Sequence, residues 1–157
     1  MDAPLSVTVD LQDEKVRFSG TARSLPAVCA DYFPPLGDGQ GYTGLELLLL
    51  SLAVCSATSI VSLLRRMNKP VAAFRVNASG TRRGQHPTSF ERIRLEFILT
   101  SAAAGVDDLQ KAVQMSEASF CPVWAMLKGN VEIVSELKLV APAAPPAGAA
   151  PGAPDQG

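Results

Sequence analysis

An uncharged run of 18 residues, from Leu47 to Leu64, constrains this chain more than any other feature of its sequence. Its length meets the criterion for a helix that spans a membrane. The rest of the chain has the pattern of a soluble protein, and the run itself carries five hydroxyl side chains, at Ser51, Ser56, Thr58, Ser59 and Ser62. We therefore predict a buried central helix and no membrane span. A helix that is apolar nearly all round must be enclosed, and one sheet of so small a domain cannot enclose it, so we expect a second subunit to cover the remainder.

The N-terminal part of the chain has the pattern of short strands. Residues 5–10 and 16–22 alternate between apolar and polar side chains, with the polar turn 12–15 between them, which predicts a hairpin. Residues 25–32 are a candidate third strand. Residues 34–44, rich in Gly and Pro, are predicted to form a loop.

The central helix has clear start and stop signals. Thr43 and Glu46 have the spacing of a capping box, in which the Thr hydroxyl accepts the Glu amide N–H and the carboxylate reaches back. We expect the helix to end near Asn68, because Pro70 cannot continue it.

Two strands, two helices and a final strand are predicted after the central helix. Residues 74–78 form one strand, and residues 93–99 alternate apolar with charged side chains, as in a half-buried strand. A second helix begins near Asp107, and its inward face carries Leu109, Ala112, Val113 and Ser116. Pro122 breaks this helix and opens a short third one, and residues 131–140 form the last strand. The order β-β-(β)-α-β-β-α-α-β predicts an α+β fold.

The predicted domain covers residues 1–140 and is large enough for one hydrophobic core. Residues 141–157 are almost entirely Ala, Pro and Gly. Such a segment has little apolar surface to bury and cannot offset the entropy lost on ordering, so we predict a disordered tail.

Charge and cysteine content narrow the classes of function. The formal net charge is −1, with acids and bases mixed along the chain, so the clustered Lys and Arg that phosphate contacts require are missing and nucleic acid is not an expected partner. The N-terminus has the pattern of neither a positive leader nor an apolar signal core. Three cysteines, an odd number, fit reduced thiols in a cytoplasm better than a disulfide scaffold.

Cys55 lies deep in the central helix, on the side that also carries Ser51, Thr58, Ser59 and Ser62. A polar stripe on an apolar helix indicates a small pocket or a neighbour that forms hydrogen bonds with it. Alternatively, the small side chains allow a close helix contact and the cysteine is a small hydrophobic residue. The residues alone leave both interpretations open.

Cys121 directly precedes Pro122 and is predicted at the N-cap of the short third helix. Free amide groups at a helix N-terminus favour a thiolate, the nucleophilic form of cysteine. The alternative is a buried cysteine that packs between Phe120 and Val123. Because Cys55 and Cys121 are 66 residues apart, a disulfide between them requires a fold that brings their Cα atoms within about 6 Å.

We assign no role to the third cysteine or to the single histidine. Cys29 lies in the candidate third strand, and His86 lies in a predicted loop. With one histidine and scattered acidic residues, we expect no metal site.

Three segments of the chain resemble the OsmC/Ohr family. Residues 44–64, GLELLLLSLAVCSATSIVSLL, resemble the family's central-helix motif, which contains its first cysteine. Residues 116–133, SEASFCPVWAMLKGNVEI, are similar to the second cysteine motif, and residues 86–101, HPTSFERIRLEFILTS, to the central strand. The resemblance covers about residues 15–140.

This resemblance implies an intertwined homodimer, in which antiparallel sheets wrap around long central helices buried between the subunits. It also implies a thiol peroxidase. In that chemistry Cys55 attacks a small organic hydroperoxide and becomes a sulfenic acid, and Cys121 then forms a disulfide with it. The implied protein binds no cofactor, and an external dithiol, of the lipoyl type in Ohr members, restores the two thiols.

The sequence departs from the family pattern at the start of the central helix. Gly44 stands where the motif usually has proline, and Leu45 stands where the peroxidases have a glutamate that helps to hold an arginine over the sulfur. Glu46 is nine residues before Cys55, so it lies on the opposite side of the helix and about 13 Å away along the axis. We therefore assign Glu46 to the helix cap.

Arg17 and Arg23 are the candidates for the arginine that activates Cys55. The departures leave two functions open: a cysteine-based hydroperoxide reductase, and a non-catalytic dimer that senses redox state or binds a small ligand.

Overall fold

The computed structural model describes residues 3–144 and has the predicted α+β order. Its elements are β1 Thr8–Leu11, β2 Phe18–Thr21, β3 Val28–Ala30, α1 Gly44–Arg66, β4 Ala73–Arg82, β5 Phe90–Thr100, α2 Val106–Met115, a π-helical turn Ser116–Phe120, α3 Pro122–Leu127 and β6 Glu132–Val140. Residues 141–144 follow β6 without regular structure. The rest of the predicted disordered tail, residues 145–157, lies outside the described residues.

The first three strands form an antiparallel sheet of order β1-β2-β3. The hairpin predicted for the N-terminal segment is confirmed, with Thr8 opposite Thr21 and Leu11 opposite Phe18. The strands of this sheet contact chiefly one another, and the apolar side chains of β1 are exposed, with 57% of Val9 accessible. Within residues 3–144 this sheet therefore lacks a covering layer.

The second sheet has the order β4-β5-β6, and β5 is its central strand. β4 and β5 pair antiparallel, whereas β5 and β6 pair parallel, from Arg92 opposite Glu132 to Thr100 opposite Val140. We expected antiparallel sheets, and the parallel pairing of β6 with β5 corrects that expectation. Two parallel neighbours require a long crossover. Residues 101–131, which include α2 and α3, form that crossover and return the chain to the end of the sheet where β5 began.

The core lies between α1, the second sheet and α2. β5 contributes the alternating side chains that the sequence predicted, and all four are inaccessible to solvent: Ile93, Leu95, Phe97 and Leu99. α1 contributes Leu52, Ile60 and Leu64, which are equally inaccessible. Burial of these side chains against one another supplies most of the hydrophobic stabilisation of the domain.

The part of the chain that the structure describes covers one face of α1. On the other face 45% of Leu50 and 63% of Val54 are exposed, although both are apolar. By length and composition the helix Gly44–Arg66 could also cross a membrane, a property that a core helix shares. The prediction of a buried central helix is thus confirmed for the face that packs on β4, α2 and α3.

Candidate thiol site

Cys55 lies at the middle of α1, half-buried, and faces a cavity of about 480 Å³. α1 lines this cavity with the hydroxyl side chains that follow Cys55 on the same helix face. Phe120 and Pro122, on either side of Cys121, complete the lining. The full lining is Cys55, Thr58, Ser59, Ser62, Leu63, Arg66, Phe120 and Pro122. The sequence left open a pocket or a close helix contact beside the polar stripe. The structure has a pocket beside Cys55, Thr58, Ser59 and Ser62.

Cys121 is the N-cap of α3, as predicted from the proline that follows it. Its backbone is extended, with φ −100° and ψ 100°, and its sulfur accepts the backbone N–H of Trp124 at 3.4 Å. Only 2% of the residue is exposed. The alternative prediction of a buried Cys121 is also correct in part, because this N-cap residue lies in the core.

The fold brings the two thiols together. The Cys121 sulfur lies 3.6 Å from the Ser56 hydroxyl, on the turn of α1 that carries Cys55. Burial raises the pKa of the Cys55 thiol, and a hydrogen bond with Cys121 raises it further, while a hydrogen bond from the backbone of Val123 opposes both. None of the groups within residues 3–144 that set this pKa is a basic side chain. All three cysteines are free thiols.

A π-helical turn positions Cys121. The chain leaves α2 through Ser116–Phe120, and the backbone N–H of Cys121 donates to the carbonyl of Ser116 at 2.9 Å. The fully buried Ser116 hydroxyl meets that of Ser59 at 2.5 Å, which ties this turn to α1. The residue pattern predicted a second helix that continues to Pro122, whereas the structure has this turn after Met115. Its only sequence signal was a serine on the otherwise apolar face of α2.

Glu46 belongs to the helix cap, as the spacing predicted. Its carboxylate accepts the Thr43 backbone N–H at 2.7 Å and the Thr43 hydroxyl at 2.9 Å. The backbone hydrogen bond from Thr43 is the main reason that the pKa of Glu46 lies below its usual range. Leu45, at the position of the family glutamate, packs its side chain against the core.

Arg17 sits among three carboxylates of the first sheet and its loops. Its guanidinium lies 3.8 Å from Asp13, 3.9 Å from Asp31 and 3.5 Å from Asp38. The Nε atom is nonetheless buried and has no hydrogen-bond partner within residues 3–144. Arg23, the other candidate, is exposed in the turn after β2 with φ 57°.

The other singled-out residues lie outside the cavity. Cys29 is exposed on β3, and its thiol donates to the Gln40 carbonyl at 3.6 Å. His86 is exposed in the loop between β4 and β5. Neither residue is part of the cavity lining beside Cys55.

Comparison with known proteins identifies the family. The family described as OsmC-like protein matches residues 37–136, which include α1, strands β4 and β5, and Cys121. The chain belongs to the OsmC family. This OsmC chain is 31% identical over 97 residues to protein YhfA of Escherichia coli, a match that covers 62% of the chain and 72% of YhfA.

Solved structures share the OsmC fold of this chain. A hypothetical protein from Aquifex aeolicus superimposes with a TM-score of 0.79 at 24% identity, over 91% of this chain and all of the other. An organic hydroperoxide resistance protein from Legionella pneumophila superimposes with a TM-score of 0.66 at 12% identity, over 87% of this chain and 97% of the other. At these identities the likeness concerns the fold alone.

Proposed function

We propose that this OsmC protein is a thiol-dependent reductase of small organic hydroperoxides, with Cys55 as the peroxidatic and Cys121 as the resolving cysteine. The observation that carries the proposal is the placement of the two sulfurs. Cys55 faces a cavity, while the buried Cys121 sulfur lies 3.6 Å from the hydroxyl of Ser56, the residue next to Cys55 on α1. A substrate can therefore reach the first sulfur, and the second is held behind it.

The chemistry follows from this order. The Cys55 thiolate attacks the distal oxygen of the hydroperoxide, the O–O bond breaks, and the alcohol leaves after taking up a proton. Cys55 becomes a sulfenic acid, and attack by Cys121 then forms the disulfide and releases water. An external dithiol, which we propose to be of the lipoyl type, reduces the disulfide by exchange, and no bound cofactor takes part.

We further propose that the protein acts as a homodimer, whose second subunit completes the site. The uncovered face of α1 and the exposed apolar side chains of the first sheet are surfaces that a second copy would bury. The cation that a peroxidatic thiolate needs would also come from that copy. Arg17 is our candidate, because it belongs to the first sheet, which a second copy would cover, and 34% of its side chain is exposed.

The peroxidase is tested by thiol counting. Reduced protein treated anaerobically with one equivalent of cumene hydroperoxide should lose two thiols and yield a Cys55–Cys121 disulfide by mass spectrometry. Cys121→Ser should stop at a sulfenic acid on Cys55, which dimedone traps. If Cys55→Ser retains turnover, or if the parent protein consumes neither thiol, the assignment is wrong.

A second candidate function is a non-catalytic dimer that senses redox state or binds a small ligand. It is favoured by the apolar Leu45 at the usual glutamate position and by the raised pKa of Cys55, which both disfavour a fast peroxidatic thiolate. Repeated turnover with a lipoyl dithiol and a hydroperoxide would eliminate it. A single oxidation of Cys55 and Cys121 without repeated turnover would support the non-catalytic dimer over the reductase.

We also propose that the protein is cytoplasmic and soluble, with neither membrane nor nucleic acid as a partner. Packing of α1 on β4, α2 and α3 supports this location, since a helix with such neighbours is part of a folded core. Full recovery of the protein in a detergent-free soluble fraction is the expected result. Recovery in the membrane pellet would contradict it.

A further inference from the structure

The hydroxyl of Ser56 is a buried polar group with an unusual partner. Ser56 has no accessible surface, and its Oγ atom lies 3.6 Å from the sulfur of Cys121. Within residues 3–144 that sulfur is its one hydrogen-bond partner. A buried hydroxyl without a partner is costly, so Ser56 depends on the Cys121 sulfur for its polar contact.

Two donors can converge on the Cys121 sulfur. The Trp124 backbone N–H points at it from α3 at 3.4 Å, and the Ser56 hydroxyl approaches it from α1. Either Ser56 or the thiol can donate while Cys121 is protonated. A thiolate has no proton to give, so the hydroxyl must rotate and become the donor once Cys121 ionises. The Ser56 contact is therefore stronger for the thiolate than for the thiol.

The same contact orients the sulfur. Ser56 is the residue next to Cys55, so a Cys121 sulfur held by the Ser56 hydroxyl is also held beside the peroxidatic cysteine. The hydrogen bond between Ser59 and Ser116 fixes the π-helical turn against the same part of α1. Serine hydroxyls thus connect α1 both to the Cys121 sulfur and to the turn that precedes it.

We propose that Ser56 is a positioning residue for the resolving cysteine, whose hydroxyl stabilises the Cys121 thiolate and aims it at Cys55. The inference rests on the proposed function and concerns its second step. In that step the Cys121 thiolate forms an S–S bond with the Cys55 sulfenic acid, and the Cys55 S–O bond breaks. The electron pair leaves with hydroxide, which takes up a proton to become water. Cys121 is oxidised and the sulfenic sulfur is reduced.

The test separates the two steps in full-length protein with cumene hydroperoxide as the oxidant. In Ser56→Ala we expect sulfenic acid formation on Cys55 at a rate within about twofold of the parent. Disulfide formation should become about tenfold slower, as loss of one hydrogen bond to a charged group predicts. Dimedone should then trap more Cys55.

Ser56→Thr keeps the hydroxyl and should keep the parent rate of disulfide formation. Ser51→Ala, the same substitution at an exposed position of α1, is the matched control and should change neither step. An unchanged rate of disulfide formation in Ser56→Ala would overturn the inference. An equal loss of rate in Ser56→Thr would also overturn it, because it would show that the hydroxyl is not the group that matters.

A second measurement is independent of peroxide chemistry. Glutathione disulfide can form a mixed disulfide with Cys55, and attack by Cys121 then releases glutathione. Ser56→Ala should slow that release by the same factor. If the parent protein fails to react with hydroperoxide but Ser56→Ala slows glutathione release, the proposed function fails and the role of Ser56 stands. If the parent reacts with hydroperoxide and Ser56→Ala changes neither disulfide formation nor glutathione release, the proposed function stands and the role of Ser56 fails.

Discussion

At the scale of single residues, the raised pKa of Cys55 gives a pH dependence. Burial and the hydrogen bond with Cys121 both favour the neutral thiol. Below this raised value the reactive thiolate is a minority that grows about tenfold per pH unit. We therefore expect alkylation of Cys55 by iodoacetamide to accelerate steadily through the alkaline range. A plateau reached near neutral pH would show that a cation lowers the pKa in the assembled protein.

The raised pKa of Cys55 also makes the stability of the fold depend on pH. A thiol whose pKa is higher in the folded than in the unfolded chain stabilises the fold below the unfolded value, and this contribution is lost as the pH rises through the folded value. Chemical denaturation of the parent should therefore show a loss of stability at alkaline pH that Cys55→Ser does not share. Equal alkaline profiles for the two proteins would contradict the assignment of the shift to Cys55.

At the scale of elements, the capping box of α1 should contribute measurably to stability. The Thr43 hydroxyl and the Glu46 carboxylate satisfy two backbone N–H groups at the start of the helix. Thr43→Ala should lower the free energy of unfolding by about 1 kcal/mol, measured by urea denaturation. Thr58→Ala, within the same helix, is the control and should have a smaller effect.

The antiparallel pair β4–β5 contains a close approach that only glycine allows. A Cβ atom at Gly80 would lie 2.3 Å from the ring of the buried Phe90. Gly80→Ala should therefore destabilise the protein by about 1–3 kcal/mol, the usual cost of overpacking a core. Gly84→Ala, in the following loop, meets nothing within 4 Å and should be nearly neutral. Adding Phe90→Leu to Gly80→Ala should restore part of the loss.

At the scale of the whole molecule, the uncovered face of α1 predicts association. The parent should sediment at twice the chain mass of 16.5 kDa. Val54→Glu places a charge on the exposed apolar face and should yield a monomer, because a buried unpaired carboxylate is costly. Glu14→Gln, at an exposed turn position, is the control and should remain dimeric. A monomeric parent would contradict the proposed dimer.

Much of this molecule could be predicted from local patterns. The capping box placed the start of α1, the alternation of residues 93–99 identified the central strand, and Pro122 placed Cys121 at an N-cap. Each of these features depends on neighbours within a few residues. The parallel direction of β6 and the π-helical turn were missed. Pairing of β5 with β6 joins residues 40 apart, and the contact that ties the turn to α1 joins residues 57 apart.

The amino-acid sequence decided which thiols this protein has, the helix positions they occupy and the family to which the chain belongs. The tertiary structure alone decided that Cys55 faces a cavity, that Cys121 lies buried beside it and that Ser56 contacts the buried sulfur. The physical reason is distance along the chain. A hydrogen bond between residues 56 and 121 forms only after α2, its π-helical turn and α3 have packed on α1, and no local pattern encodes that packing.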